Sequence, residues 1–273
     1  MTAMLTVTIT AFLVNSVMAI AAWRLKWLTR SGAITAWCIG FIVFRFTSVF
    51  GWIILMLFFV TATVLGLFSR RVMAHTTVSD LQKKGGTRDW VQVLANGGVA
   101  GLAALLYGIS SSPHALVMFG AALAASTSDT WAGEAGILSR KPPVSIRTGK
   151  PVPPGMSGGV SFLGTVSSMV GSLMIALAWY GAFAVYHDAA WVFLASIIAL
   201  AGIVGSLVDS LLGATVQGHY WDSQKKQITE HEMRDGKKLE LCRGIRWIDN
   251  DVVNVLSNII ATVLASGLSL IIV

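Results

Sequence analysis

Eight stretches of mainly apolar residues, each near the length of a bilayer crossing, alternate along the chain with polar or very short connections. A membrane helix needs about 20 such residues. The pattern places spans near 4–22, 32–48, 50–67, 91–109, 114–134, 158–182, 189–215 and 252–273. The second and third fit most tightly. Residues 32–67 are too long for one crossing and short for two, with Arg45 near the break, where its side chain can snorkel to an interface. The first span has no basic stretch ahead of it and reads as a retained helix rather than a cleaved signal. The predicted fold is an all-α integral membrane protein, a polytopic bundle of about eight transmembrane helices. It forms one membrane domain over 1–273, with cytoplasmic loops at 68–90, 135–157 and 217–249.

Composition agrees: 55% of the residues are hydrophobic and only 12% charged, about half the charged share of a soluble domain. The net charge of +7 has a topological explanation. Nineteen of the twenty Lys and Arg residues follow odd-numbered spans, and only Arg45 does not. Basic loops face the cytoplasm, so both termini are expected outside, in a bacterial inner or plasma membrane. The outer connections, Ser110–Pro113 and Tyr186–Ala190, are short, so the working face is expected to be cytoplasmic. No nucleic-acid partner is needed to explain the charge. Cys38 and Cys242 lack a CxxC or CxxH partner, which argues against a zinc site or a disulfide framework.

Polar residues interrupt four spans near their cytoplasmic ends. In STSDTWAGE (126–134), Ser126, Thr127, Asp129, Thr130, Gly133 and Glu134 share one broad helical face, opposite Trp131 and Ala132. Span seven carries Gly205, Asp209 and Gly213 at i, i+4, i+8 beside Gly202, Ser206 and Ser210, a spacing that lets helices approach closely. Span eight opens with Asn250, Asp251, Asn254, Ser257 and Asn258, and span four with Asn96-Gly97-Gly98. Helix capping is the rival reading of Asp251, which lies near a helix start. It does not account for Asp129 or Asp209, which lie near helix C-termini, where a carboxylate opposes the dipole. Intramembrane carboxylates mark functional sites, and a hard cation such as Mg²⁺ takes one or two of them with waters and phosphate oxygens. A proton or sodium pathway competes for the same residues.

The connection RKPPVSIRTGKPVPPGMSGGVSFLG (140–164) adds Arg140, Lys141, Arg147 and Lys150 ahead of Gly155, Ser157, Gly158 and Gly159, which are expected to open span six. Helix-start amides bind anions, and glycine admits a ligand closely. Carboxylates for a metal together with a basic, glycine-rich helix start suggest phosphate, although a positive-inside loop with packing glycines accounts for the same residues. No Walker A motif occurs. KKGGTRDWVQVLANGG (83–98) brings Lys83, Lys84 and Arg88 ahead of Asn96, a pattern that also suits headgroup anchoring. The polar stretch 217–249 reads as a hairpin or a lid; His219 and His231 are too far apart for a local metal pair.

SDTWAGEAGILS, TGKPVPPGMSGGVSFLGT, GSLVDSLLGATVQ and WIDNDVVNVLSN, in this order, resemble the membrane family of plant and cyanobacterial phytyl-phosphate kinases and animal transmembrane protein 19, from about Lys83 to Asn258. More distantly, the arrangement is similar to CTP-using dolichol kinases and phosphatidate cytidylyltransferases. The resemblance implies a membrane kinase that moves a phosphoryl group from a nucleoside triphosphate, often CTP, to an isoprenyl monophosphate. By motif, Asp129 and Glu134 match the acidic signature, Lys150 and Gly155 the K-x-x-P-x-G segment, and Asn254 the VN pair. The expected roles are catalysis by Asp129, Lys150 and Asp209, and Mg²⁺ binding by Asp129, Glu134, Asp209 and Asp251. Arg88, Asn96, Arg147, Lys150, Gly155, Ser157, Gly158, Gly159 and Asn254 would bind the nucleotide and phosphates. A transporter of a phosphorylated substrate and a cytidylyltransferase forming a CDP-lipid are the rival readings.

Overall fold

The structure is a computed structural model and describes residues 2–73, 86–183 and 189–272. Lys83, Lys84 and residues 186–188 of the second outer connection lie outside the described residues. Among the described residues seven helices form the bundle: α1 (Thr2–Arg24), α2 (Arg30–Met73), α3 (Trp90–Ser110), α4 (Pro113–Gly136), α5 (Phe162–Ala182), α6 (Ala189–Thr215) and α7 (Asn250–Ser269). Six are long and apolar enough to cross a membrane; α4, with its polar C-terminal third, is not among them.

The 44 residues of α2 would extend about 66 Å if straight, twice the hydrocarbon thickness. The helix breaks at Ser48, which adopts φ 66° and ψ −177°. Both ends of α2 then meet the same residue: Gly32 lies against the Arg88 carbonyl, and Arg88 Nη1 donates to Thr63 Oγ1 at 3.1 Å. Asn15 of α1 touches both limbs, packing on Gly40 and accepting from Trp52 Nε1 at 3.1 Å. The two limbs are therefore antiparallel, and α2 supplies the second and third of the eight expected spans. The first loop is shorter than expected because helix continues to Met73.

Helix α4 is the axis of the bundle. Almost every residue from Ala115 to Ser128 is buried, and α2, α3, α5, α6 and α7 all pack around it. Small residues permit this. A Cβ at Gly202 would lie 2.8 Å from Ala124 Cβ, and one at Gly205 2.7 Å from Ala125 Cβ. The glycine ladder of α6 thus closes on α4 and holds Asp209 inside the bundle. Ser126 Oγ donates to the Asn96 carbonyl at 2.6 Å, and Asn258 bridges Ser126 at 3.1 Å and the Ala95 carbonyl at 3.1 Å. These bonds clamp α3, α4 and α7 together.

At one end the long connections fold into small β-structures. β1 (Val144–Ser145) pairs antiparallel with β2 (Gly159–Val160). The 217–249 stretch forms a three-stranded antiparallel sheet, ordered β4 (Gln227–Thr229), β3 (His219–Asp222) and β7 (Glu240–Arg243), plus the hairpin of β5 (Met233–Arg234) and β6 (Lys237–Lys238). The all-α bundle thus carries a small β-cap over the end where the polar residues gather. Asn258→Ala removes the α7 part of the clamp and leaves the Ser126 bond to the Asn96 carbonyl; interhelical hydrogen bonds of this kind contribute about 1–2 kcal/mol at most, so a modest fall in the thermal midpoint in detergent is expected, with a further modest fall when Ser126→Ala is added.

Candidate functional site

The site is assembled at the capped end from helix termini. The Asp89–Gln92 capping box starts α3, and the strand-like bridge of Leu28 to Arg88 ties that start to the α1–α2 connection. Arg88 is thereby aimed inward, with Gln92 and Asn96 one and two turns beyond. Asp249, not Asp251, caps α7: its carboxylate accepts from the Asp251 and Val252 amides at 3.1 and 3.2 Å. That leaves the buried Asp251 to line the cavity with Asn254.

The larger cavity, about 280 Å³, has two parts. Its head is polar, lined by Arg88, Gln92, Asn96, Asp129, Thr130, Glu134, Glu230, Asp249, Asp251 and Asn254. Its other limb runs between α1, α2 and α3 and is lined by Met18, Ala22, Leu28, Ala36, Trp37, Leu55 and Phe59. A second cavity of about 180 Å³ lies beside it, walled by Gly155, Ser157, Gly158, Gly159, Ser161, Ser206, Asp209 and Ser210. Asp129, Gly133, Ile137, Ser157 and Asn250 line both. Asp129 therefore stands where the two cavities meet, and it lines the second together with Asp209. Ser257 Oγ donates to Asp209 at 3.0 Å. Asn254 Oδ1 is buried with no hydrogen-bond partner among the described residues.

Ten of the thirteen residues singled out from the sequence line one cavity or both: Arg88, Asn96, Asp129, Gly155, Ser157, Gly158, Gly159, Asp209, Asp251 and Asn254. Three readings change. Arg147 and Lys150 are exposed and line neither cavity. They belong to a tight turn, Arg147 within it and Lys150 at its base, closed by the Ser145 amide to the Lys150 carbonyl at 2.9 Å. Glu134 lines only the larger cavity, and Ser69 Oγ donates to it, with the Arg88 charge nearby. Five helical residues separate it from Asp129, a rotation of about 140°, so the two carboxylates diverge. Accordingly, no group of three or more His, Cys, Asp or Glu among the described residues is placed to hold a metal ion, and the four-carboxylate set does not converge. What remains, Asp129 with Asp209, matches the one or two carboxylates that Mg²⁺ commonly takes beside phosphate and water.

The glycine segment also differs from a helix start. α5 begins at Phe162, capped by Ser161, whose side chain accepts from the Gly164 amide at 3.1 Å. Gly158, at φ +81°, instead presses against α6, where a Cβ would lie 2.5 Å from Ala214 Cβ. Backbone approach between loop and helix, rather than a dipole, explains this glycine.

Glu230, Asp249 and Ser69 were not anticipated. Asp249 had a readable signal as a capping residue ahead of an apolar run. Glu230 had none, because it comes from the β-cap 101 residues beyond Asp129 and meets the site only through folding. Burial pushes its carboxyl upward and nearby Asp249 adds to this, against the pull of hydrogen bonds from Ser157 and Gln217.

Fold and site together define a polytopic membrane protein with an amphiphilic cavity at one end of the bundle. The chain belongs to the integral membrane protein family DUF92, whose model matches residues 13–262; this is the membrane family that the four motifs resemble. It is 31% identical over 279 residues to Protein PGR of Arabidopsis thaliana, covering 94% of each chain. An uncharacterized membrane protein of Methanocaldococcus jannaschii is 33% identical over 210 residues, 75% of this chain and 81% of its own. One of Synechocystis is 24% identical over 248 residues, 89% of this chain and 83% of its own. No solved structure matches.

The Glu230 environment sets a pH dependence. Between the ordinary Glu value of 4.5 and the raised one, the folded chain holds a proton that the unfolded chain has released, so its contribution to stability falls as pH rises through that window. Thermal midpoints measured in detergent across that window should decline less steeply for Glu230→Gln than for wild type; parallel slopes would refute the assignment.

Proposed function

We propose that the protein is a membrane kinase that transfers a phosphoryl group from a nucleoside triphosphate, with CTP the expected donor, to an isoprenyl monophosphate, giving an isoprenyl diphosphate. The observation that carries this reading is the lining of the larger cavity: polar around Arg88, Asn96, Asp129 and Asn254, and mainly apolar where α1, α2 and α3 meet. An amphiphile with a phosphate head and a hydrocarbon tail fits both parts at once. The adjoining glycine-walled cavity, sharing Asp129 and Ser157, offers a place for the donor's phosphates at the same depth.

In this reading the tail lies in the apolar limb and brings the acceptor phosphate to the seam at Asp129. Arg88 offsets its charge, and Asn96 and Asn254 orient it. An acceptor phosphate oxygen attacks the terminal phosphorus of the donor. The bond to the bridging oxygen breaks, and its electron pair leaves with the nucleoside diphosphate. The acceptor is already ionised, so no strong general base is required; positioning and charge stabilisation do the catalysis. Mg²⁺, held by Asp129 and Asp209, would neutralise donor phosphate charge. The basic connections lie at the cavity end, which favours a cytoplasmic site with both termini outside.

The test uses protein purified in detergent with Mg²⁺, each nucleoside triphosphate, and phytyl, geranylgeranyl or farnesyl monophosphate, with products identified by mass spectrometry. A prenyl diphosphate with the matching nucleoside diphosphate is expected. Pyrophosphate with a CDP-lipid would instead identify a cytidylyltransferase, and no product with any pair would turn the reading toward transport. Asp129→Asn and Asp209→Asn should abolish transfer while leaving a monodisperse, folded protein.

The placement of the cations gives a sharper expectation. Arg88→Ala should lower kcat/KM by about a hundredfold or more, as removal of a charge-stabilising group does. Lys150→Ala, at an exposed turn, should change it by less than about threefold, in keeping with surface substitutions. The reverse order of effects would return Lys150 to the site.

A further inference from the structure

Glu230 reaches the site from the β-cap rather than from a membrane helix. Ser157 donates to its Oε1 twice, from the backbone N–H at 3.2 Å and from the hydroxyl. Gln217 Nε2 donates to Ser157 Oγ at 3.1 Å and its amide also bonds the Glu230 carboxyl. Gln217 is 1% exposed, and its Oε1 has no partner among the described residues, so its side chain is held by what Nε2 donates. The Ser157 backbone amide and hydroxyl thus converge on one anionic oxygen, with the Gln217 carboxamide donating to the hydroxyl from behind. These are the donors a phosphate oxygen takes from a protein.

The carboxylate is a poor permanent occupant. Asp249 and Asp209 both lie near enough to repel its charge, and burial disfavours its ionised form. Its mounting is also light. Glu230 directly follows β4, an edge strand that pairs only with β3 in its sheet. Ser157, its main partner, lines both cavities.

We propose that the Ser157 N–H and hydroxyl, the hydroxyl held in place by the Gln217 amide, form a binding subsite for a substrate phosphate oxygen, and that Glu230 fills this subsite as an internal stand-in which the phosphate displaces. The inference rests on reading the cavities as a phosphoryl-transfer site and adds the group that guards it. Displacing Glu230 releases the end of β4, so substrate binding and movement of the cap edge are one event. The stand-in also keeps the donor groups satisfied when no substrate is bound, since unpaired buried donors are costly.

Titration calorimetry of the full chain in detergent with inorganic pyrophosphate tests this. Glu230→Gln and Glu230→Ala are expected to bind about tenfold tighter than wild type, because the competing occupant is weakened or gone. Equal or weaker binding by both variants, or no binding by any of the three proteins, overturns the proposal. Relief of general negative charge would also tighten binding, so the Glu230→Ala substitution is repeated on Ser157→Ala. A shared subsite shrinks the gain below about threefold, whereas an undiminished gain assigns the effect to charge alone and overturns the stand-in. In wild type, hydrogen exchange over residues 227–232 should accelerate when pyrophosphate is added; unchanged protection overturns displacement. The prenyl-phosphate assay separates the two levels. Turnover without any gain from Glu230 variants sinks the stand-in and leaves the kinase reading intact; a gain without turnover does the opposite.

Discussion

Helix α4 buries polar side chains from Ser126 to Ser128 inside the bundle, and protein must therefore supply their hydrogen bonds. Buried polar groups without partners are expensive, and more so in hydrocarbon. The structure meets this constraint by packing five helices around α4. Ser126 is bonded to the Asn96 carbonyl and Asn258, Thr127 to its own helix at the Leu123 carbonyl, and Ser128 to Ser168 on α5. Only past Ser128 does the helix end emerge beside the cavities, with Asp129 at their junction. A wall of satisfied hydroxyls thus separates the dry core from the chemistry.

Close packing around α4 has a second consequence. Small residues on α6 let it approach within backbone distance, and Asp209 is carried in with it. The two carboxylates that line the second cavity together owe their proximity to glycines that never touch a ligand. Glycine at 158 continues the same surface outside the helices, where the loop meets Ala214. Small residues are therefore part of the site's construction, because no larger side chain leaves room for the two walls to meet.

Much of the fold was legible from hydropathy and charge. The long apolar helices, the break near residue 48 and the gathering of basic connections at one end are all properties of local composition, and local composition is what a bilayer reads. The polar faces of α4, α6 and α7 were legible too, since helical periodicity decides which residues share a face. Less visible was the direction of each face relative to its neighbours. Asp129 and Glu134 share a broad arc, yet five residues of rotation send one toward α6 and the other toward Ser69 on α2.

The loops show the same boundary from the other side. The glycine-rich connection reads as a helix start, but Ser161 caps the helix and the glycines serve a β-pair and a contact with α6. Lys150 and Arg147 belong to a connection rich in site residues, yet a tight turn exposes them. Glu230 lies far along the chain and reaches Ser157 because the β-cap folds back over the bundle. The sequence by itself determined a membrane bundle, its crossings, its charge asymmetry and the helix ends that hold the polar groups, because length, hydropathy and period act locally. Only the tertiary structure decided which carboxylates meet, which cations reach the cavity and that a loop carboxylate occupies the Ser157 donors, because those depend on helix rotation and chain return, which no local pattern encodes.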